Sequence, residues 1–76
     1  MNKYIGALFY NPTSARLDFR YEDGSCEGGL HCGQCLDVKI NGKWLPSRLE
    51  MSDDWFLVGL NIRGINNING RIARIY

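Results

Sequence analysis

Residues 36–45 read Leu36-Asp37-Val38-Lys39-Ile40-Asn41-Gly42-Lys43-Trp44-Leu45. Leu36, Val38 and Ile40 alternate with Asp37 and Lys39, the period of two that sends successive side chains to opposite faces of a strand. Asn41-Gly42 is the strongest short hairpin signal a sequence can carry, because a type I′ turn needs positive φ at both central residues. A two-residue loop sets Val38 opposite Leu45 and Lys39 opposite Trp44, and both pairs agree with the alternation. The return strand runs over 43–51. Pro46 has no N–H to give a ladder, so it predicts an edge position or a bulge on this strand.

The same reading extends outward. Residues 3–10 (KYIGALFY) are rich in aromatic and β-branched types and make a first strand. Asn11-Pro12-Thr13-Ser14 is turn chemistry. Over 16–22, Leu17, Phe19 and Tyr21 face one way and Arg16, Asp18, Arg20 and Glu22 the other, a half-buried strand closed by Asp23-Gly24-Ser25. Residues 24–35 hold all three cysteines and four of the nine glycines, and read as a structured loop. Ser52-Asp53-Asp54 is a second turn. Residues 55–60 (WFLVGL) form an apolar run of strand length, expected to be buried on both faces. Residues 66–70 are a third turn region, and Arg71 to Tyr76 a last short strand. The expected architecture is all-β: one domain over 1–76, a small SH3-like barrel or roll of about six short antiparallel strands with a cysteine-rich loop.

Composition bounds what such a domain does. The chain has 76 residues, with 9 Lys+Arg against 8 Asp+Glu. A net charge of +1 excludes a general polyanion sponge, which needs a strong basic excess. Hydrophobic residues at 45% and charged residues at 22% are globular proportions. No apolar run approaches the length of a membrane span. The opening Met1-Asn2-Lys3-Tyr4-Ile5-Gly6 lacks the apolar stretch and cleavage site of a signal peptide. The expected compartment is therefore the cytoplasm, where thiols stay reduced. A domain this short buries only about 60% of its unfolded surface and is often stapled by a disulfide, a metal or an oligomer.

The segment Cys26-Glu27-Gly28-Gly29-Leu30-His31-Cys32-Gly33-Gln34-Cys35 carries the chemistry that could supply a staple. Cys32-x-x-Cys35 has the spacing at which two thiolates share one ion, and Gly33 permits the tight turn between them. Cys26 can fold back across Gly28-Gly29. Three thiolates need one more ligand for tetrahedral zinc, and His31, the only histidine, is the first candidate, with Glu27, Asp23 or a water as substitutes. The expectation is a structural zinc on Cys26, Cys32, Cys35 and His31. The other readings are reduced thiols in a glycine-rich loop, or a redox pair, although no helix follows Cys35 to lower a thiol pKa. No catalytic triad can be assembled around a single histidine, and the glycines do not form a phosphate-cradling loop. An enzyme is not expected.

Charge is uneven along the chain. Residues 1–54 hold six basic and eight acidic side chains, net −2, whereas residues 55–76 hold Arg63, Arg71 and Arg74 and no acid, net +3. With Trp44 beside Lys39, Pro46 and Arg48, this gives a candidate protein-contact set of Trp44, Arg48, Arg63, Arg71 and Arg74, since Trp and Arg are favoured interface anchors. The alternative is a small nucleic-acid-binding module that uses the same arginines and aromatics.

The stretch 30–60 resembles a family of short, uncharacterised bacterial proteins. The resemblance rests on Leu30-His31-Cys32-Gly33, Leu36-Asp37-Val38, Asn41-Gly42-Lys43-Trp44-Leu45-Pro46, Arg48-Leu49-Glu50 and Asp54-Trp55-Phe56-Leu57-Val58-Gly59-Leu60. Such proteins look like cargo of phages and conjugative elements and carry no assigned activity. In size and cysteine usage the chain is also similar to zinc-containing type II-A anti-CRISPR proteins, which block Cas9 by binding it. The resemblance implies a non-enzymatic, zinc-stabilised interaction protein of a mobile element with a protein partner, most concretely a Cas9 nuclease. Cys26 and Cys35 fall outside the family pattern.

Overall fold

The structure, a computed structural model, describes residues 4–76. It comprises β1 (Tyr4–Asn11), β2 (Arg16–Tyr21), β3 (Gln34–Ile40), β4 (Lys43–Met51), β5 (Trp55–Leu57), β6 (Ile62–Arg63), a one-turn helix α1 (Ile65–Ile68) and β7 (Ile72–Ile75). Every pairing is antiparallel, in the order β2-β1-β7-β3-β4-β5-β6. The all-β expectation holds, with seven strands among the described residues where about six were expected. The extra strand arises because the WFLVGL run is not one element. Only Trp55–Leu57 is strand; the chain then turns through Gly59 (φ 79°) and Asn61 (φ 55°) into β6. The turn expected over 66–70 begins instead inside α1. The first strand starts at Tyr4, and Lys3 lies outside the described residues.

The central hairpin has the register read from its turn: Val38 opposite Leu45, Lys39 opposite Trp44, with Asn41 at φ 50° and Gly42 at φ 81°. Pro46 lies opposite Asp37. The pairing with β5 reaches only Leu49 to Met51, so at Pro46 strand β4 has a strand neighbour on one side only. A residue with no N–H is accommodated there without loss of a ladder bond.

One core cluster contains Leu17 and Phe19 of β2 together with Trp55 and Leu57 of β5. Five strand steps separate β2 from β5, roughly 24 Å in a flat sheet at the usual strand spacing. The sheet therefore curls, which gives a roll whose concave face is filled by Leu8, Leu36, Val38, Leu49, Ala73 and Ile75 and capped by Ile68 of α1.

Two features close the roll. Strand β7 enters between the two hairpins, pairing β1 on one side and β3 on the other. Its approach is fixed by Gly70 N–H donating to Leu8 O (2.7 Å) and Leu8 N–H donating to Arg71 O (2.8 Å). The free edge of β2 is covered by residues 25–30: Tyr21 N–H donates to Ser25 O, Glu27 N–H to Phe19 O and Leu30 N–H to Leu17 O, all within 2.8–2.9 Å. That cover protects an edge that would otherwise template another strand, and it seats Leu30 in the core with no exposed surface. Among the described residues no helix is long and apolar enough to cross a membrane.

Candidate interaction surface

Period-two alternation puts the residues between the core positions on the convex face. The registers lay them out in rows. Ile5 lies opposite Arg74, Arg74 opposite Asp37, and Asp37 opposite Pro46. The next row holds Arg20, Ala7, Ile72, Lys39 and Trp44. Glu50, Phe56 and Arg63 form a row at the far end of the sheet.

Three aromatic rings on this face are each capped by a cation. Arg20 sits 4.5 Å above the Phe9 ring, Arg74 4.4 Å above Trp44 and Arg63 4.8 Å above Phe56; Lys39 approaches Trp44 to 5.6 Å. Such contacts are worth about 0.5–1 kcal/mol at exposed sites. Their larger effect here is to hold the guanidinium groups in fixed positions. Asp37, only 5% exposed, lies under this layer: its Oδ2 accepts from Arg74 Nε and its Oδ1 from the Tyr76 hydroxyl, both at 2.7 Å. Arg48 is tied to Glu50 at 2.7 Å.

Of the residues expected to make partner contacts, Trp44, Arg48, Arg63 and Arg74 share this convex face. Arg71 does not join them: it lies before β7, and its Nε donates to Asn67 O (2.9 Å), bracing the connection from α1. Arg20, Lys39, Phe9, Phe56 and the exposed Ile5 and Ile72 belong to the same surface and were not singled out from the sequence. Alternation already put Arg20 and Lys39 opposite the core residues, but only the insertion of β7 shows which strands are neighbours.

The cysteine loop is spread along the structure. Cys26 forms an isolated bridge with Arg20 beyond the edge of β2. Cys32 lies in the turn where Gln34 N–H donates to His31 O (3.1 Å). Cys35 is on β3 opposite Arg48. All three thiols are free and exposed, as is His31. Among the described residues no three His, Cys, Asp or Glu side chains gather as a metal site. A zinc would be held first by the Cys32-x-x-Cys35 pair, and Cys26 is stationed elsewhere by its bridge to β2.

Residues 6–75 match the family described as a domain of unknown function, DUF5348. The chain belongs to that family. This DUF5348 domain is also similar to a protein from Ruminococcus gnavus whose crystal structure is known. The identity is 46% and the TM-score 0.83, over 93% of this chain and 99% of that one. No curated protein matches it at a significant level.

Two outcomes follow for the DUF5348 domain. Because Cys26, Cys32 and Cys35 are exposed, all three thiols of the reduced, metal-free protein are expected to react with a thiol reagent under native conditions. A pair that reacts only after chelator is added would establish a bound metal instead. The second concerns Tyr21, whose hydroxyl donates to Glu27 Oε2 at 2.5 Å. That hydrogen bond, with lesser desolvation and the carboxylate charge, pushes the phenol up from 10.0 to about 12. A raised folded pKa means the contact stabilises fully below pH 10 and is lost as pH rises from there through about 12. Glu27→Gln is expected to bring one tyrosinate absorbance step back toward 10. An unchanged alkaline titration would show that the hydrogen bond does not form.

Proposed function

We propose that the protein is a non-enzymatic interaction domain that docks another protein through the convex face of its sheet. The observation that supports this is the array of three cation-capped rings, Phe9, Trp44 and Phe56, running across that face. Rigid aromatic and arginine side chains lose little entropy on contact and are the side chains that dominate binding interfaces.

The more specific form of the proposal is a mobile-element protein that inhibits a Cas9 nuclease sterically, by competing with guide or target DNA or by stopping a domain movement. Support for it is the resemblance carried by residues 30–60. In this form Trp44, Arg48, Arg63 and Arg74 are contact residues. A structural zinc belongs to the same reading and rests on the Cys32-x-x-Cys35 spacing. The test is to add the protein at saturation to the matching Cas9 and follow DNA binding and cleavage. Inhibition that Trp44→Ala relieves is the expected result; unchanged binding and cleavage would remove the Cas9 form of the proposal.

A further inference from the structure

The structure assigns the convex face a partner of definite chemistry: an amphipathic acidic segment of another protein, its apolar side chains on Ile5, Ile72 and Tyr76 and its carboxylates over Arg20, Lys39 and Arg74. This inference rests on the docking reading above and adds the nature of the partner.

Five large hydrophobic side chains are prominently exposed among the described residues, and three of them are on this face: Ile5 (44%), Ile72 (45%) and Tyr76 (47%). They are close neighbours. Ile5 is directly opposite Arg74, and Ile72 and Tyr76 flank Arg74 two residues away on the same side of β7. In an antiparallel pair such diagonal neighbours are roughly 7–8 Å apart. The result is an apolar strip down the middle of the sheet.

The charges flanking the strip across the sheet are basic. Arg20 lies on β2 to one side and Lys39 on β3 to the other, and neither makes an ion pair among the described residues. Of the acids near the strip, Asp37 is covered and already accepts from Arg74 and Tyr76, and Glu22 is exposed beside Ile5 at one end. Glu50 is occupied by Arg48. An apolar centre with an accessible cationic rim complements a segment with an apolar centre and carboxylates at its edges.

Other occupants fit less well. A second copy would bring Arg20, Lys39 and Arg74 against like charges. A nucleic acid strand needs bare ring faces for its bases, and here Phe9, Trp44 and Phe56 are already capped by a cation.

Cys35 supplies a reporter, because it is exposed on this face, opposite Arg48 and near enough to Tyr76 to influence the charge on its phenol. In a Cys26→Ser/Cys32→Ser protein, Cys35 alkylation reads occupancy of the face. The experiment selects binders from a random displayed peptide library and compares them with an oligothymidylate. Expected are peptides enriched in Asp and Glu together with apolar residues. They should slow Cys35 alkylation and bind about tenfold or more weakly to an Arg20→Gln/Lys39→Gln variant whose melting is unchanged. Peptides without acidic enrichment, or with affinity indifferent to that variant, would overturn the inference. So would an oligothymidylate that protects Cys35 better than any peptide; that result would refute the partner chemistry while leaving the face as a docking surface. If nothing selected protects Cys35, the docking reading itself fails.

Discussion

Gly6→Ala is expected to cost about 3 kcal/mol of stability, at the upper end of what overpacking a core does. A Cβ at residue 6 would stand 2.1 Å from the backbone carbonyl of Arg20 and 2.8 Å from the Phe19 ring. A flexible side chain could step aside, but a carbonyl in a strand cannot. Gly6 is paired with Tyr21 on one side and Ala73 on the other, so moving the backbone away from β2 drives it into β7. The Phe19 ring is fully buried and packs edge-on against Tyr21 at 5.1 Å between centroids, which leaves it no room to yield. A domain of this size has a total stability of roughly 4–11 kcal/mol, so the loss is a large fraction of the whole. Denaturant unfolding checks it: the midpoint should fall with the slope unchanged. A loss below about 1 kcal/mol would mean that β1 and β2 are not held as described.

Asp37→Ala is expected to cost about 2–3 kcal/mol. Breaking a buried ion pair costs more when the remaining charge stays buried; here Arg74 keeps a quarter of its side chain in solvent, which reduces the penalty. The Tyr76 hydroxyl loses its acceptor as well. Asp37→Asn separates charge from shape: it keeps an oxygen for Tyr76 and should cost about half as much. The pair also has a pH signature. The hydrogen bond to Asp37 is the main reason the Tyr76 phenol lies above its ordinary value of 10.0, with smaller effects of burial and of the carboxylate charge. Because the folded value is raised, this contact contributes in full below pH 10 and is lost as pH rises above it. In Asp37→Asn the phenol should titrate closer to 10. An alkaline titration identical to that of the parent would show that Asp37 does not hold Tyr76.

Much of the fold was legible because it is local. Asn41-Gly42 and the alternation around it determine the second hairpin down to individual pairs, and the alternation over 16–22 sorts core from surface in β2. What could not be read is the non-local step. Nothing within residues 71–76 says that they pair with both β1 and β3. That insertion is what brings Arg74 and Tyr76 to Asp37, so a carboxylate that alternation marks as surface becomes buried. The same step assembles the convex face. Trp44, Arg63 and Arg74 were recognisable as contact-prone types, but their alignment with Phe9, Arg20 and Phe56 depends on sheet order. The glycine-rich loop was legible only in part. Its composition points to metal chemistry, whereas its backbone lies along the edge of β2 and its one aliphatic residue, Leu30, fills the core.

The position of β7 also governs how the chain reaches this state. The β1–β2 hairpin and the β3–β4 hairpin with β5 and β6 can each form from neighbouring residues, on the microsecond timescale of hairpins. The strand between them follows both in the chain, and the two halves otherwise share little pairing. The rate-limiting step is therefore expected to be the docking of β7 against both hairpins, at the loop-closure cost of joining Tyr4 to Ile75 across most of the sequence. Substitutions at the interface of β7 should consequently slow folding, and those in the turn after β5 should mainly speed unfolding.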